Sequence, residues 1–575
     1  MNRSFSLGFR LPRLVPRAAI GLAALALATP SPAQDGLAGA YLAARQASMY
    51  SDYTEAARYY ALALAEDPGN PALLENAMMA YLGLGDVERA IPIARRLESG
   101  ANGSQVANLV IIADQMKRGA WDEAMADLEA GRSAAPLVDS LIRAWARFGQ
   151  GRMSEALDAF DAASEQTGLK AFGLYHKALA LAAAGDFEGA DHILSGEAEG
   201  PLRATRRGVI AHAEVLSQLE RHADAIELID SAFGLEVDPG ISDLRARLAA
   251  GKALPFDVVE DATQGAAEVF YTVAGALNGD AMDSYTLIYA RLAEYLAPGN
   301  SDAVLLSASL LESQERYALA IDTYARVPRD DPAFYAAEIG RAEAMRKAGD
   351  VDGSIAVLQA LSRDFADVAI IHVTLGDTLR GQERHDEARQ AYDRAIALFD
   401  APARAQWIVY YARGVAHERL GLWDKAEADF RQALELEPDQ PQVLNYLGYS
   451  FVELKTNLDE ALDMIERAVA ARPDDGYITD SLGWVLYRLG RYDEAVPHME
   501  KAAALMPIDP IVNDHLGDVY WAVGRKNEAR FQWHRALSFD PEEKEADRIR
   551  RKLEIGLDRV LQEEGAPPLQ SANDG

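Results

Sequence analysis

Cysteine is absent from all 575 residues of the chain. Without a thiol, the protein can form no disulfide, no thiolate metal site and no cysteine nucleophile. No bacterial lipoprotein anchor is expected either, because that lipid is attached to a cysteine. After the N-terminal region the sequence contains no run of about 18 apolar residues, the length that a membrane-spanning helix needs. These absences predict a mature protein that is soluble and has no lipid anchor.

Basic residues are scarce relative to acidic ones. The chain has 57 Lys and Arg against 89 Asp and Glu, which gives a formal net charge of −32 at pH 7. Nucleic acids and anionic lipids are bound by basic stripes, so we expect neither as a partner. The acidic surface favours solubility, and its charge is explained by ordinary solvation; the alternative is that it binds a basic patch of a partner.

Sequence motifs of catalysis are also missing. The ten histidines are scattered, and none belongs to a His-Glu-x-x-His pair or another metal-binding spacing. No Gly-x-Ser-x-Gly, phosphate loop or dinucleotide fingerprint occurs. Asp514 and His515 are adjacent, but no nucleophile accompanies them. We therefore expect no enzymatic activity, no cofactor and no metal site.

The N-terminus has the pattern of an export signal. A region with four arginines is followed by the apolar run Ala18 to Ala28, and Ser31-Pro32-Ala33 provides small residues for cleavage before Gln34. An N-terminal membrane anchor is the alternative, but this apolar run is well short of the roughly 20 residues that span a bilayer. The sequence predicts a cleaved signal peptide at residues 1–33 and a periplasmic location.

A repeated unit is plainest near the C-terminus. Asn445-Tyr-Leu-Gly448, Asp480-Ser-Leu-Gly483 and Asp514-His-Leu-Gly517 align, and their glycines are 35 and 34 residues apart. Small residues recur at positions 8, 20 and 27 of the unit, an apolar or aromatic residue at 24 and proline at 32. This spacing predicts two helices in each unit, helix A near positions 1–14 and helix B near 17–30.

The pattern resembles the tetratricopeptide-repeat superfamily. The resemblance implies an all-α fold, a right-handed α-solenoid of about 14 helix–turn–helix repeats that ends in a capping helix. A single hairpin cannot bury its apolar face alone, so stacking of the units is also expected on physical grounds.

The repeat pattern is interrupted once inside the chain. Gly251, Pro255 and Gly265 punctuate a segment that is too long for a turn between repeats. The sequence therefore predicts two arrays, with the following division: a degenerate N-terminal array at 34–239, a junction at 240–266, a C-terminal array at 267–541, a capping helix at 542–562 and a disordered tail at 563–575.

Helix A lines the concave surface in this architecture, and positions 2, 5, 9 and 12 point into it. Amide and carboxylate groups beside aromatic rings can bind an extended backbone and stack on its side chains. The alternative for Trp484 and Trp521 is that these rings only pack between neighbouring helices. The candidate partner-binding residues are Asn445, Tyr449, Asp480, Trp484, Tyr487, Asp514, Asp518 and Trp521.

The repeats around Gly448, Gly483 and Gly517 also resemble proteobacterial exported proteins related to lipoprotein adaptors of carboxyl-terminal processing proteases. This chain departs from those adaptors because it lacks the lipid-bearing cysteine. The resemblance implies a non-catalytic periplasmic scaffold that binds envelope proteins, such as a processing protease or a cell-wall hydrolase, and presents substrates to the protease. The alternative is a cell-envelope assembly factor that binds peptidoglycan or polysaccharide-export machinery. The sequence leaves the oligomeric state open.

Overall fold

The computed structural model describes residues 37–98, 104–197, 205–233, 239–399, 401–566 and 569. All regular secondary structure in these residues is helical. The predicted signal peptide at 1–33 lies outside the described residues, as does most of the predicted tail at 563–575. No helix of the described residues is both long enough and apolar enough to span a membrane.

The described chain divides into two compact units, and the boundary along the sequence lies between Ala366 and Asp367. The N-terminal unit contains the helices α1 Leu37–Met49, α2 Tyr53–Glu66, α3 Pro71–Leu84, α4 Val87–Glu98, α5 Gln105–Lys117, α6 Trp121–Glu129, α7 Pro136–Gly149, α8 Met153–Ser164, α9 Lys170–Ala183, α10 Phe187–Leu194, α11 Arg206–Gln218, α12 His222–Phe233, α13 Pro239–Ala249, α14 Ala262–Leu277, α15 Asp283–Leu296, α16 Ser301–Ser313, α17 Tyr317–Tyr324, α18 Phe334–Lys347 and α19 Val351–Asp364.

The C-terminal unit continues the same alternation of helices. It contains α20 Ala369–Gly381, α21 His385–Ala397, a short 3-10 helix at Arg404–Gln406, α22 Trp407–Arg419, α23 Trp423–Leu436, α24 Pro441–Leu454, α25 Leu458–Ala471, α26 Gly476–Arg488, α27 Tyr492–Leu505, α28 Pro510–Ala522, α29 Lys526–Ser538, α30 Glu543–Ile555 and α31 Leu557–Glu563.

Successive helices pair into hairpins, and each hairpin packs on the next within its unit. The described residues contain fourteen such hairpins, from α1–α2 to α11–α12, from α14–α15 to α18–α19 and from α20–α21 to α28–α29. The predicted all-α solenoid of about 14 tetratricopeptide-like hairpins is confirmed.

Close approach of helices A and B explains the glycine at position 8. A Cβ atom added at Gly483 would lie 2.2 Å from Sδ of Met499, and one at Gly517 would lie 2.4 Å from Nε1 of Trp533. Met499 and Trp533 occupy position 24 of their repeats and are fully buried. The absence of a side chain at position 8 therefore makes room for the large residue of the facing helix.

The N-terminal unit contains a reversal that the repeat pattern does not predict. Helix α14 packs on α5, α7 and α9, while α15 packs on α3 and α5. These are all first helices of their hairpins, which line the inner face of a repeat stack. The hairpin α14–α15 therefore belongs with the repeats before it, and the two units divide after Ala366 instead of at the predicted junction, residues 240–266.

Two further differences concern predicted boundaries. The predicted junction includes all but the first residue of α13 and the start of α14. Between these two helices, Leu254 and Val259 are buried. The predicted capping helix at 542–562 is two helices, because Gly556 adopts a left-handed φ of 85° and separates α30 from α31. A backbone conformation of this kind is open to glycine and interrupts a helix.

Candidate functional site

The inner face of the N-terminal repeats is filled by the chain itself. Glu268 on α14 is 1% exposed and accepts hydrogen bonds from the Tyr175 hydroxyl at 3.0 Å and from Arg207 Nε at 2.9 Å. Arg207 Nη1 also donates to Asp302 at 3.1 Å. Tyr175 and Arg207 lie on α9 and α11, so these bonds connect the reversed hairpin region to the first helices of earlier repeats.

Close packing accompanies these ionic contacts. Gly265 of α14 faces Trp145 of α7, where an added Cβ atom would lie 2.3 Å from the indole. Trp145 Nε1 donates to His176 Nδ1 at 3.2 Å, and burial lowers the pKa of His176 to about 3. A neutral imidazole that accepts a hydrogen bond in a dry interior is typical of core packing. This part of the inner face is therefore closed.

The C-terminal unit holds all eight candidate residues, on α24, α26 and α28. Trp484 is 7% exposed and stacks on His515 with a centroid distance of 3.9 Å and on Tyr487 at 4.7 Å. Its Nε1 donates to Glu453 Oε1 at 3.1 Å. The ring thus packs between the first helices of three successive repeats. This is the arrangement expected if Trp484 only packs between neighbouring helices.

Asp480 forms an ion pair with the stacked imidazole. Its carboxylate lies 3.0 Å from Nδ1 of His515. Burial would lower the pKa of His515, but the carboxylates of Asp480, Asp514 and Asp518 together raise it above its ordinary value. Asp480 is itself buried and has its partner within the chain.

Asp514 and Asp518 bind a lysine of the C-terminal helix α30. Lys552 Nζ donates to both oxygens of Asp518, at 2.6 and 2.8 Å, and to both oxygens of Asp514, at 2.9 and 2.8 Å. Asp518 also accepts from Trp533 Nε1 at 2.9 Å. These aspartates are neutralised by the protein's own cation.

Trp521 is covered by the junction of α30 and α31. Its Nε1 donates to Asp558 at 2.9 Å, and a Cβ atom added at Gly556 would lie 2.7 Å from the ring. The structure therefore brings the candidates of the last two repeats together, but in contacts with one another and with α30–α31. Their role in partner binding stays a prediction.

Apolar or aromatic residues at position 2 of helix A are exposed in several repeats of this unit, including Tyr477 of α26 at 57%. Ile370 and Ile408 occupy position 2 of their repeats and are 51% and 52% exposed. Tyr449 is partly exposed, and so is Asn445, whose Oδ1 is buried without a hydrogen-bond partner in the described residues. Ile370 and Ile408 were not among the candidates, although their register, position 2 of helix A, would have identified them.

Acidic and histidine side chains in this unit are arranged as paired contacts between helices. Within the described ranges, no cluster of three or more His, Asp or Glu side chains is arranged to hold a metal ion. For example, Nδ1 of His417 lies 2.9 Å from the buried carboxylate of Asp429. Arg413 donates two hydrogen bonds to the same carboxylate, at 2.6 and 2.9 Å. Because all the charged groups of this network are paired with one another, it is typical of a structural contact between helices.

Comparison with known proteins agrees with the repeat pattern. Three family models described as "Tetratricopeptide repeat" match residues 367–439, residues 411–476 and 455–510, and residues 49–110. A curated relative, the TPR repeat-containing protein PA4667 of Pseudomonas aeruginosa, is 30% identical over 184 residues. That match covers 32% of this chain and 30% of the relative, so the chain spans less than a third of the relative's length.

Solved structures match this chain more loosely. A crystal structure of the APC/C hetero-tetramer Cut9–Hcn1 matches 91% of this chain and 96% of its own, at 16% identity and a TM-score of 0.37. YrrB, whose structure is described as a TPR protein with an unusual peptide-binding site, matches 34% of this chain and 97% of its own, at 21% identity and a TM-score of 0.28.

Proposed function

We propose that this chain, a member of the tetratricopeptide-repeat superfamily, is a scaffold that binds a protein partner on the inner face of α20, α22 and α24. The observation that supports it most directly is the exposure of this face. Ile370 and Ile408 expose about half of their surface at equivalent positions of successive repeats, 51% and 52%. Exposed apolar residues in a row are typical of surfaces that bind protein.

Polar groups beside these residues suit a peptide or a protein backbone. Asn445 Oδ1 is a hydrogen-bond acceptor that has no donor in the described residues and is shielded from solvent. The partly exposed part of the Asn445 side chain can hydrogen-bond an extended backbone. Tyr449, one helical turn further along α24, provides an amphipathic ring of the kind enriched at interfaces.

A more specific proposal concerns the location of the protein and the class of its partner. We propose that the chain is exported after cleavage before Gln34 and acts in the periplasm as an adaptor for a carboxyl-terminal processing protease or a cell-wall hydrolase. The arginine-rich N-terminal region with its apolar run supports export, and the likeness to exported repeat proteins supports the class of partner. Intact-mass measurement of the protein from fractionated cells tests the cleavage site.

Site-specific photocrosslinking tests the binding surface. A photoreactive residue is placed at Ile370 or Ile408, and the captured species is identified by mass spectrometry. Lys425, an exposed residue of α23 in the same repeat as Ile408, provides the control position. We expect one envelope protein to be captured from positions 370 and 408 and not from 425.

Equal capture from all three positions would contradict a binding surface on this face. A protease or hydrolase among the products supports the adaptor. Retention of the purified chain on protein-free sacculi, with no protein crosslinked at positions 370 and 408, favours the alternative of an assembly factor that binds peptidoglycan.

A further inference from the structure

A basic residue of helix B contacts the preceding repeat in each of the last three hairpins. This residue stands one position before the small residue at position 27, and it donates a hydrogen bond to the carbonyl of the proline at position 32 of the repeat before it. The pairs are Arg467 and Pro438 at 2.9 Å, Lys501 and Pro473 at 2.6 Å, and Arg535 and Pro507 at 2.9 Å. Because the bond recurs, it belongs to the stacking of neighbouring repeats.

Two of these three cations also have a carboxylate partner. Arg467 Nη2 donates at 2.8 Å to Asp439, the residue that follows the proline, and its Nη1 lies 3.4 Å from Asp463, one turn earlier on α25. Lys501 Nζ lies 3.9 Å from Asp474, which again follows the proline. In both repeats the aspartate after the proline therefore serves as the counterion of the basic residue.

The last hairpin has apolar residues in place of these carboxylates. Ile508 follows Pro507 where the two earlier repeats have aspartate, and Phe531 stands one turn before Arg535 where α25 has aspartate. Ile508 is 73% exposed and Phe531 is 65% exposed. Arg535 has no carboxylate partner among the described residues, although its guanidinium lies 5.8 Å from the centroid of the Phe539 ring. The acidic chain thus has here a cation without a counterion, next to two exposed apolar side chains.

Arg535 also lines a groove of about 310 Å³ between α27 and α29. Leu516 and Tyr520 of α28 provide apolar surface within it. Glu500 is the acidic residue that lines this groove, and its carboxylate accepts hydrogen bonds from the Tyr520 hydroxyl at 2.8 Å and from Arg525 Nη1 at 2.9 Å. Because Glu500 already has Arg525 as its partner, its charge does not compensate that of Arg535.

We propose that Arg535, Ile508, Phe531 and the groove between α27 and α29 form a docking site for a segment of a partner protein in which an Asp or Glu side chain lies between apolar side chains. Charge complementarity identifies this occupant. Its carboxylate takes the place that Asp439 has beside Arg467, and its apolar neighbours cover the two exposed apolar side chains.

An acidic side chain fits this site better than a free chain terminus, because the counterion at the equivalent place of the two earlier repeats is an aspartate side chain. The site belongs to the second helices of its repeats. It is therefore separate from the proposed binding surface on α20, α22 and α24, and it does not depend on that surface.

Selection from a phage-displayed library of short random peptides tests the class of occupant. The peptides are joined at their C-termini to the coat protein, so they present no free carboxylate of the main chain. The library is selected on the full chain and depleted on the Ile508→Asp variant, in which an aspartate follows Pro507 as in the earlier repeats and pairs with Arg535. We expect the enriched peptides to share an acidic residue between apolar ones.

Fluorescence anisotropy with an enriched peptide, synthesised with both ends blocked, measures the affinity for the full chain. Arg535→Gln and Ile508→Asp should each weaken binding at least about tenfold, the loss expected for one charge-assisted hydrogen bond. Replacing the acidic residue of the peptide by its amide should have the same effect. Arg467→Gln is the matched control, because that arginine has its carboxylates within the chain, and it should leave the affinity unchanged.

Circular dichroism shows whether each variant is folded. If Arg535→Gln loses stability together with its bond to Pro507, Ile508→Asp tests the same charge at an exposed position and keeps that bond.

Three results would overturn the inference. One is enrichment of no peptide, or of peptides without an acidic residue. Another is equal affinity of the unmodified protein and the Ile508→Asp variant for the blocked peptide. The third is binding that requires a free C-terminal carboxylate on the peptide. Crosslinking from positions 370 and 408 should be the same in the Ile508→Asp variant, so its loss would contradict the proposed function and not this inference.

Discussion

The two units cover the inner faces of their repeats in different ways. In the N-terminal unit, a complete hairpin, α14–α15, turns back onto α3, α5, α7 and α9. In the C-terminal unit, α30 contacts the last repeats through Lys552 and Arg548, and α20 and α22 keep exposed isoleucines. In the first unit a complete hairpin fills part of the inner face, whereas in the second only the end of the stack is covered, by the terminal helices α30 and α31.

This difference indicates which unit is available to partners. A buried ion pair with packed neighbours around it is lost only together with the local fold, because removing one partner leaves the other charge without compensation. A terminal helix contacts only the repeat before it, so it can open locally while the other repeats stay folded. Partner binding is therefore expected in the C-terminal unit, and the N-terminal unit is expected to act as a rigid support.

The largest expected effect tests the closure of the N-terminal unit. Glu268→Ala removes the carboxylate that binds Arg207 and Tyr175, and we expect a loss of about 3–5 kcal/mol in the free energy of unfolding. Urea denaturation gives the value, and hydrogen exchange of α14 assigns it to this unit. Asp230→Ala, which breaks the exposed pair with Arg245, should cost less than about 1 kcal/mol. Similar losses in both variants would contradict the closure by Glu268.

The second prediction uses the buried carboxyl of Glu214 on α11. Burial, followed by the neighbouring Asp257 charge, raises the pKa of Glu214 to about 9 from an ordinary value of 4.5. The folded state therefore holds this proton more tightly, so stability is greatest below about pH 4.5 and is lost as the pH rises towards 9.

Glu214→Gln should remove this loss and stabilise the N-terminal unit at pH 8 by on the order of 1–3 kcal/mol. Thermal melts from pH 5 to pH 9 measure it, with Glu227→Gln on the exposed side of α12 as control. A variant whose stability falls with pH as steeply as that of the unmodified protein would show that Glu214 is already charged in the folded state.

The third prediction compares two glycines of α14. Gly265→Ala places a Cβ atom 2.3 Å from Trp145 and should destabilise the N-terminal unit by about 1–3 kcal/mol. Gly275 has no atom within 4 Å of the equivalent position, so Gly275→Ala should stabilise the helix by up to about 1 kcal/mol. Changes of the same sign in the two variants would mean that α14 does not pack tightly on α7.

The smallest expected effect concerns the C-terminal unit. Because the carboxylates of Asp480, Asp514 and Asp518 together raise the pKa of His515 despite burial, the stability that the charged imidazole contributes is complete below pH 6.5 and is lost as the pH rises through the folded-state pKa. His515→Gln should abolish this dependence at a cost of about 1 kcal/mol at pH 6. NMR titration of the imidazole checks the direction, and an unshifted or lowered pKa would contradict it.

The repeat architecture could be predicted because its signals are local. Gly483 and Met499 lie sixteen residues apart within one repeat, and the same pair of positions recurs as Gly517 and Trp533. Periodic spacing of small and apolar residues predicts which faces meet when neighbours stack. The fold class and the number of hairpins follow from that spacing.

For the eight candidate residues, the sequence predicted the position on helix A but not the contacts that each side chain makes. Their positions on helix A were predicted, but Trp484 is stacked between neighbouring repeats and Asp518 is bound to Lys552. A sequence pattern assigns a residue to the inner face without showing what occupies that face. The spacing of aspartate and tryptophan along helix A is the same whether the cation that pairs with the aspartate belongs to a partner or to a later helix of this chain.

The sequence by itself determined the helices, their pairing and the register of each repeat, because these depend on residues within about one repeat length of one another. The sequence also predicted a helix that caps the second unit, but only the tertiary structure decided that α14–α15 fills the inner face of the first unit and that α30 pairs with Asp514 and Asp518. Those contacts join residues such as Tyr175 and Glu268, or Asp514 and Lys552, which are far apart in the chain. In the sequence each of these residues is an ordinary polar side chain with no sign of its partner. The partner is fixed only by the packing of helices that are distant in the chain.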